Sequence, residues 1–273
     1  MRAFSPAQPP ARRTLTSWTL TDLPAEIATE YFAAIVTNSG TISAGNQTKV
    51  STLLATLQTA GLYRKVRALY LYHGNTLNAA RLNALNPTTN PGAHVITWTG
   101  SPTLDANGGF TPAVGAYGLT ALHPDGAGLT DLFGAGMGFY STSNAATSEY
   151  TMGVYDELYL APKETGTSKS RCSGTFNSGT VQDLSGFHFV SREPSSGSVK
   201  MFRNGAVHTT TTKAFASGYG IALATGRVKV GGMIEAGVTH YASTTPVKLS
   251  VITDGLSESE VATLNTAIQA YVA

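Results

Sequence analysis

The sequence predicts a mainly β protein: an antiparallel β-sandwich preceded by an N-terminal helical hairpin and closed by a C-terminal helix. Three observations predict it. Short strand-like runs recur through the second half of the chain, each bounded by turn residues, as in a sandwich or jelly roll. Asn204-Gly205 stands between two such runs, and that dipeptide favours a two-residue hairpin turn because both positions need φ > 0. Apolar stripes at helical spacing occur near the front and again at the very end.

Residues 1–21 are expected to form an extended arm. Pro6, Pro9 and Pro10 rule out a helix at the start, and the segment has no core pattern of its own. Phe4 and Trp18 are candidate anchors on a neighbouring subunit, and Arg12 and Arg13 could pair with acidic groups there. A disordered leader is the alternative. Residues 22–92 are expected to be a helical hairpin and lead-in. Asp22 and Pro24 form an N-cap and first-turn pair, followed by Ile27, Tyr31, Ala34 and Ile35 on one face. After a turn at Asn38–Gly40, a second helix starts near Ser43, carries Val50, Leu53, Leu54 and Leu57, and stops at Gly61. From Val66 the period changes, and Val66–Tyr72 reads as a strand buried on both sides.

Residues 93–273 are expected to be the sandwich with its closing helix. Candidate strands are Val95–Thr99, Gly115–Leu119, Gly138–Ser141, Tyr150–Leu160 and Lys169–Phe176. Further ones are Phe187–Arg192, Val199–Arg203, Ala206–Thr212, Gly226–Gly231 and Val247–Thr253. In the last, Val247, Leu249 and Val251 alternate with Lys248 and Ser250, which predicts a half-buried strand. Ser257 and Glu260 form a capping box for a helix whose buried face is Val261, Leu264, Ile268 and Tyr271.

Composition bounds the function. Apolar residues make up 42% of the 273 positions, enough for one large core. Charged residues are 12%, against about 25% in soluble domains, so Ser, Thr, Asn and Gly must supply the polar surface. A net charge of +2 with scattered Lys and Arg gives no face for nucleic acid. No apolar run approaches the roughly 18 residues of a membrane span. Cys172 is the one cysteine, so no intrachain disulfide is expected, which fits folding in a reducing cytoplasm. Met1–Leu20 lacks the layout of a signal peptide. An extracellular-looking composition without an export signal points to a virion component.

Three segments resemble a known family. Val199-Lys-Met-Phe-Arg-Asn-Gly-Ala-Val207 resembles the strand, Asn-Gly, strand hairpin of concanavalin A-like LamG domains, and Lys229-Val-Gly-Gly232 resembles the strand end that follows it there. Thr253-Asp-Gly-Leu-Ser-Glu-Ser-Glu-Val-Ala-Thr-Leu264 resembles the closing helix of such domains in phage virion proteins. At the front, Ala60-Gly-Leu-Tyr-Arg-Lys-Val-Arg-Ala-Leu-Tyr70, His73-Gly74 and Asn83-Ala-Leu-Asn-Pro87 are similar to the helical lead-in of those proteins. The resemblance implies a concanavalin A-like jelly roll in a bacteriophage structural accessory protein, a capsid decoration or tail component assembled in the host cytoplasm. Its implied partners are other virion subunits, copies of itself as a homo-oligomer, and a host surface glycan. A glycan-binding adhesin or tail receptor-binding protein is the alternative function, and a glycoside-cleaving enzyme the third.

No catalytic, cofactor or metal constellation is expected. His73, His94, His123, His188, His208 and His240 stand singly, without zinc-ligand spacing. Gly134-Ala-Gly136-Met-Gly138 mimics a phosphate loop but lacks its Lys and helix, so close strand packing is the better reading. Asp156 and Glu157 are adjacent, which would turn them to opposite faces of a strand, and Glu149, Asp183, Glu193 and Glu235 are isolated. Trp98, Tyr140, Tyr150, Tyr155 and Tyr159 are candidates to stack on a sugar, with a core role as the competing assignment. The sequon Asn46-Gln-Thr48 falls in a helix start and is read as accidental.

Overall fold

A computed structural model describes residues 23–87, 94–105, 107–113, 115–122, 134–143, 152–154, 158–164, 167–172, 175–180, 183–192, 198–212, 227–235, 238–242 and 244–273. The arm residues Phe4, Arg12, Arg13 and Trp18 lie outside them.

Helices α1 (Leu23–Thr37) and α2 (Ala44–Thr59) open the described chain. The hydroxyl of Ser43 accepts from the Asn46 amide and starts α2, as expected of an N-cap serine. A 3-10 turn at Tyr63–Lys65 feeds β1 (Val66–Tyr70), and a short α3 (Leu77–Ala80) follows. Next come β2 (Thr97–Thr99), β3 (Thr103–Leu104), β4 (Phe110–Thr111), β5 (Tyr117–Leu119) and β6 (Ala135–Ser141). They are followed by β7 (Met152–Val154), β8 (Leu158–Glu164), β9 (Thr167–Cys172), β10 (Thr175–Thr180) and β11 (Gly186–Arg192). The last strands are β12 (Ser198–Arg203), β13 (Ala206–Thr212), β14 (Lys229–Val230), β15 (Gly232–Glu235), β16 (Val238–Ala242) and β17 (Val247–Asp254). Helix α4 (Glu258–Val272) closes the chain on the predicted capping box.

The strands form two sheets, so the predicted sandwich is the fold. One sheet has eight strands in the order β13-β12-β11-β6-β17-β4-β3, with β1 also paired to β17. The other has nine, in the order β10-β9-β8-β7-β14-β5-β2, with β15 and β16 attached at β7. Among the described residues, pairing between the strands is antiparallel except for a parallel bridge between Ile234 and Val154. Within the eight-stranded sheet β17 is central: β6 lies along one edge, and β1 and β4 share the other. Strand β1 thus comes from the stretch assigned to the lead-in and joins the sandwich. Arg67 and Asp254 lock this pairing with two hydrogen bonds, from Nε to Oδ1 at 2.8 Å and from Nη2 to Oδ2.

Two apolar layers result. Between the sheets lie Tyr70, Tyr72, Phe110, Met137, Phe139 and Leu160 with their neighbours. On the outer face of the eight-stranded sheet, Phe187, Phe189, Phe202 and Val251 pack against Tyr31, Leu54, Leu264 and the rest of the helical stripes. Burying a side chain of this size contributes about 1.5–3 kcal/mol, and α2 alone buries Val50, Leu53, Leu54 and Leu57. The helices therefore form a third layer. This explains why β1 carries buried side chains on both faces, with Ala68 and Tyr70 inward and Leu69 outward.

Three strand expectations are corrected. Tyr150–Leu160 is not one strand: the chain doubles back so that Met152 of β7 pairs with Leu160 of β8. Lys169–Phe176 also folds back on itself, with Cys172 of β9 paired to Thr175 of β10. The half-buried alternation assigned to β17 fails for two reasons. A register irregularity between Val247 and Leu249 puts Val247 in the layer between the sheets but Leu249 and Val251 on the helical side. Ser250 is buried too, accepting the Tyr72 hydroxyl at 2.6 Å, because it alternates with Leu249 and Val251 and so faces the layer between the sheets.

A candidate ligand groove where the helices meet the sheet rim

The chemistry-bearing residues named from the sequence are mostly absorbed into the framework. Tyr159 is buried between the sheets. Trp98 is half-buried against Phe110, ring centroids 5.2 Å apart, with its indole N–H donated to the Leu77 carbonyl. Tyr150 and Tyr155 lie outside the described residues. His73 is buried under α4, hydrogen-bonded through Nε2 to the Tyr271 hydroxyl at 2.7 Å. His188 is buried against Phe139, ring centroids 5.4 Å apart. Burial, helped by the charges of Lys248 and Arg203 respectively, holds both imidazoles down at a pKa of about 4. His94 is half-buried and His208 contacts Ser168 Oγ and the Thr180 carbonyl. His123 and the His240 side chain are outside the described residues.

Among the described residues no group of three His, Cys, Asp or Glu is placed to hold a metal ion. Five described carboxylates sit in ion pairs: Asp105–Lys248, Asp183–Arg203, Asp254–Arg67, Glu258–Lys200 and Glu260–Lys65. Glu26 and Glu30 lie a turn apart on the exposed side of α1. Asp156, Glu157, Glu149 and Glu193 fall outside the described residues, as does the side chain of Glu235. Gly136 and Gly138 do serve close packing, lying against the ring of Phe189. On the nine-stranded sheet Lys229 is buried with its ammonium 3.5 Å from the Tyr117 ring centroid, and burial lowers its pKa to about 8.

Of the candidate stacking aromatics, Tyr140 has open space beside it. It sits at the end of β6, half-buried against the helical layer, and borders two adjoining cavities that also share Thr142. The first, about 320 Å³, lies between α2 and the start of β17 and is walled by Asn46, Lys49, Asn107 and Lys248. The second, about 350 Å³, is walled by Ser185, Asn204 and Gln269, which come from the start of β11, the β12–β13 hairpin and α4.

The walls are braced. Lys248 donates to Asp105 and to the Gly108 carbonyl, at 2.9 Å for the latter. The Lys248 hydrogen bond first, with a backbone bond from Asn107, holds the Asp105 carboxyl below its ordinary range. Asn204 Oδ1 accepts from the Phe187 amide at 2.9 Å, and Gln269 donates to it from the helix at 3.4 Å. Lys49 makes no ion pair among the described residues, so it supplies the uncompensated charge of the first cavity. The second cavity is walled by hydroxyls and amides without a charged side chain. An aromatic platform between a cationic and a neutral hydrogen-bonding compartment suits a hydroxyl-rich ligand. Sequence reasoning named Tyr140 but missed Lys49, Lys248, Asn107, Thr142 and Gln269, whose proximity arises only from the fold.

No protein-family model matches the chain. No curated protein matches it either. Similar solved structures include the NanB sialidase of Streptococcus pneumoniae, at 14% identity and TM-score 0.40, over 50% of this chain and 24% of that one. Another is domain 4 of AbnA, a GH43 extracellular arabinanase of Geobacillus stearothermophilus, in complex with arabinotriose. It matches at 16% identity and TM-score 0.45, over 74% of this chain and 98% of that one. A third is a Trypanosoma rangeli sialidase mutant displaying trans-sialidase activity, at 10% identity and TM-score 0.46, over 84% and 40%. The chain thus spans about a quarter of the sialidase named first. At these identities and TM-scores, what those proteins bind or cleave remains a statement about them.

Proposed function

We propose that the protein is a structural accessory component of a bacteriophage virion, a capsid decoration or tail protein. In this reading the N-terminal arm and helical layer engage neighbouring virion subunits, copies of the same chain among them, and the sandwich is displayed outward. The protein assembles in the host cytoplasm and does its work by binding, without a catalysed reaction. The observation that carries the reading is where four of the family-like motifs fall: they are joints of the framework. Tyr63–Lys65 turns the chain from α2 into β1. Asn83 Oδ1 accepts from the amides of Leu69 and Leu85, tying that segment to β1. Asn204-Gly205 makes the β12–β13 turn with φ of 48° and 79°, and Ser257 with Glu260 caps α4. Motifs that act together as joints support descent from a scaffold of that kind more strongly than the same motifs scattered on a surface.

The test is deletion of residues 1–21. The truncated protein is expected to stay folded with little change in Tm, yet to fail to enter particles when it replaces the full chain during infection. Normal incorporation of the truncated protein overturns the role given to the arm, and absence of the full-length chain from purified particles overturns the reading. A second reading, a glycan-binding adhesin or receptor-binding protein of a phage tail, is favoured by the Tyr140 groove.

A further inference from the structure

We propose that the Tyr140 groove binds an acidic oligosaccharide, with an anionic sugar ring beside Lys49 and a neutral ring against Ser185, Asn204 and Gln269. The proposal rests on the second reading above and deepens it. The division of the walls determines the ligand. In the first cavity Asp105 offsets the charge of Lys248, which is left with hydrogen-bonding capacity and little net charge. Lys49 sits across from it, half-buried on α2, with no carboxylate partner among the described residues. A partly desolvated, unpaired ammonium selects an anionic group, because charge-assisted hydrogen bonds are about twice as strong as neutral ones. Asn46 and Asn107 flank it with amides that can take ring or hydroxyl oxygens.

The second compartment asks for different chemistry. Ser185, Asn204 and Gln269 offer donors and acceptors without charge, the complement of a neutral polyol. Tyr140 borders both compartments, so one ring stacked on it would place its neighbours in each. Neither cavity is lined mainly by aliphatic side chains, as a site for an apolar peptide residue would be. The bracing of Asn204 and Lys248 leaves these walls ordered before the ligand arrives, which lowers the entropic cost of binding. The groove lies where α2 and α4 meet the sheet rim, so the helical layer is part of the site.

The experiment titrates the full chain with trigalacturonate and with neutral galactotriose, by calorimetry or by NMR shifts of labelled protein. Trigalacturonate is expected to bind at least about tenfold tighter than galactotriose, a difference of about 1.4 kcal/mol. Lys49→Gln is expected to abolish that preference by weakening trigalacturonate binding about tenfold or more. Tyr140→Ala is expected to weaken both by about tenfold or more. Because Tyr140 also packs against the helical layer, its variant is checked by Tm, and Lys49→Gln keeps the test valid if Tyr140→Ala unfolds. Equal binding of the two trisaccharides, or a preference that survives Lys49→Gln, overturns the proposal. Binding to glycans on a mixed acidic and neutral array that survives Tyr140→Ala overturns the groove but leaves the glycan-binding reading standing. Silence across that whole array overturns both.

Discussion

Two glycines on β6 face the same ring but differ in what surrounds them, and that difference can be measured. A Cβ added at Gly138 would lie 2.4 Å from the His188 carbonyl oxygen and 2.6 Å from Phe189 Cδ2. At Gly136 it would meet Thr253 Oγ1 at 2.7 Å and Phe189 Cζ at 2.8 Å, both side-chain atoms. The His188 carbonyl belongs to β11, which is held in register with β6 through Gly138 and Phe189, so it cannot move without disturbing the ladder. Overpacking of this kind costs about 1–3 kcal/mol, partly offset by the entropy that Ala removes from the unfolded chain. Gly138→Ala should therefore lose about 3 kcal/mol and Gly136→Ala about 1 kcal/mol. Phe189→Leu alone should cost roughly 1–2 kcal/mol as a partial cavity. Combined with Gly136→Ala it should recover about 1 kcal/mol relative to additivity, since it withdraws the obstructing ring. Combined with Gly138→Ala it should recover less than half of the loss, because the carbonyl remains. Urea unfolding with linear extrapolation reads all of these. Tolerance of Gly138→Ala within about 0.5 kcal/mol, or rescue of Gly138→Ala as complete as that of Gly136→Ala, would refute the reasoning.

The two buried histidines make stability depend on acid. Both have folded pKa values of about 4, below the ordinary value of about 6.5, so the unfolded chain takes up protons first. Their contribution is complete above about pH 6.5 and is lost as pH falls toward 4, each accounting for up to about 3 kcal/mol. Unfolding free energies at pH 7, 5.5 and 4.5 should fall in that order, more gently for His188→Gln than for the parent chain, and a flat profile would contradict this. At the other end of the chain, Ser257→Ala removes the acceptor for the Glu260 amide and should cost about 1 kcal/mol. That corresponds to roughly 2–4 °C in Tm for a chain of this size, and an unchanged Tm would argue that the cap is solvent-compensated.

The sequence carried the elements better than the layers. Asn204-Gly205, the capping box and the stripes of α2 and α4 were legible because each is a local rule: a turn needing positive φ, a reciprocal hydrogen bond, a 3.6-residue period. The doubling back of β7 on β8 and of β9 on β10 was missed because each pair read as one continuous strand. Only the Ser173-Gly174 dipeptide marked a break, and Tyr155-Asp156-Glu157 carries no Gly or Pro. The third layer was legible in the helical stripes, whose apolar faces need the sandwich to cover them, but which strand residues it covers was not. Ser250 looked like a solvent-facing residue, but the helices take the face of Leu249 and Val251, so Ser250 points between the sheets, where its hydroxyl is enclosed and bonded to Tyr72. A polar residue in a strand reports its exposure only if both faces of the sheet are known.

The site follows the same logic one step further. Tyr140 was visible as a candidate because an aromatic side chain can stack on a sugar, although a core role was the favoured assignment for most of the aromatics named with it. Its partners come from segments far apart in the chain: Asn46 and Lys49 on α2, Asn107 in the β3–β4 turn, Lys248 on β17 and Gln269 on α4. No spacing links them. The packing of α2 and α4 on the sheet brings them together, and a register irregularity in β17 lies at Lys248. There the chain changes which side chains face the helices, and Lys248 is directed to the rim, where it joins Asp105 and Gly108. The same irregularity that defeated the strand pattern thus sits at the residue that forms one wall of the groove.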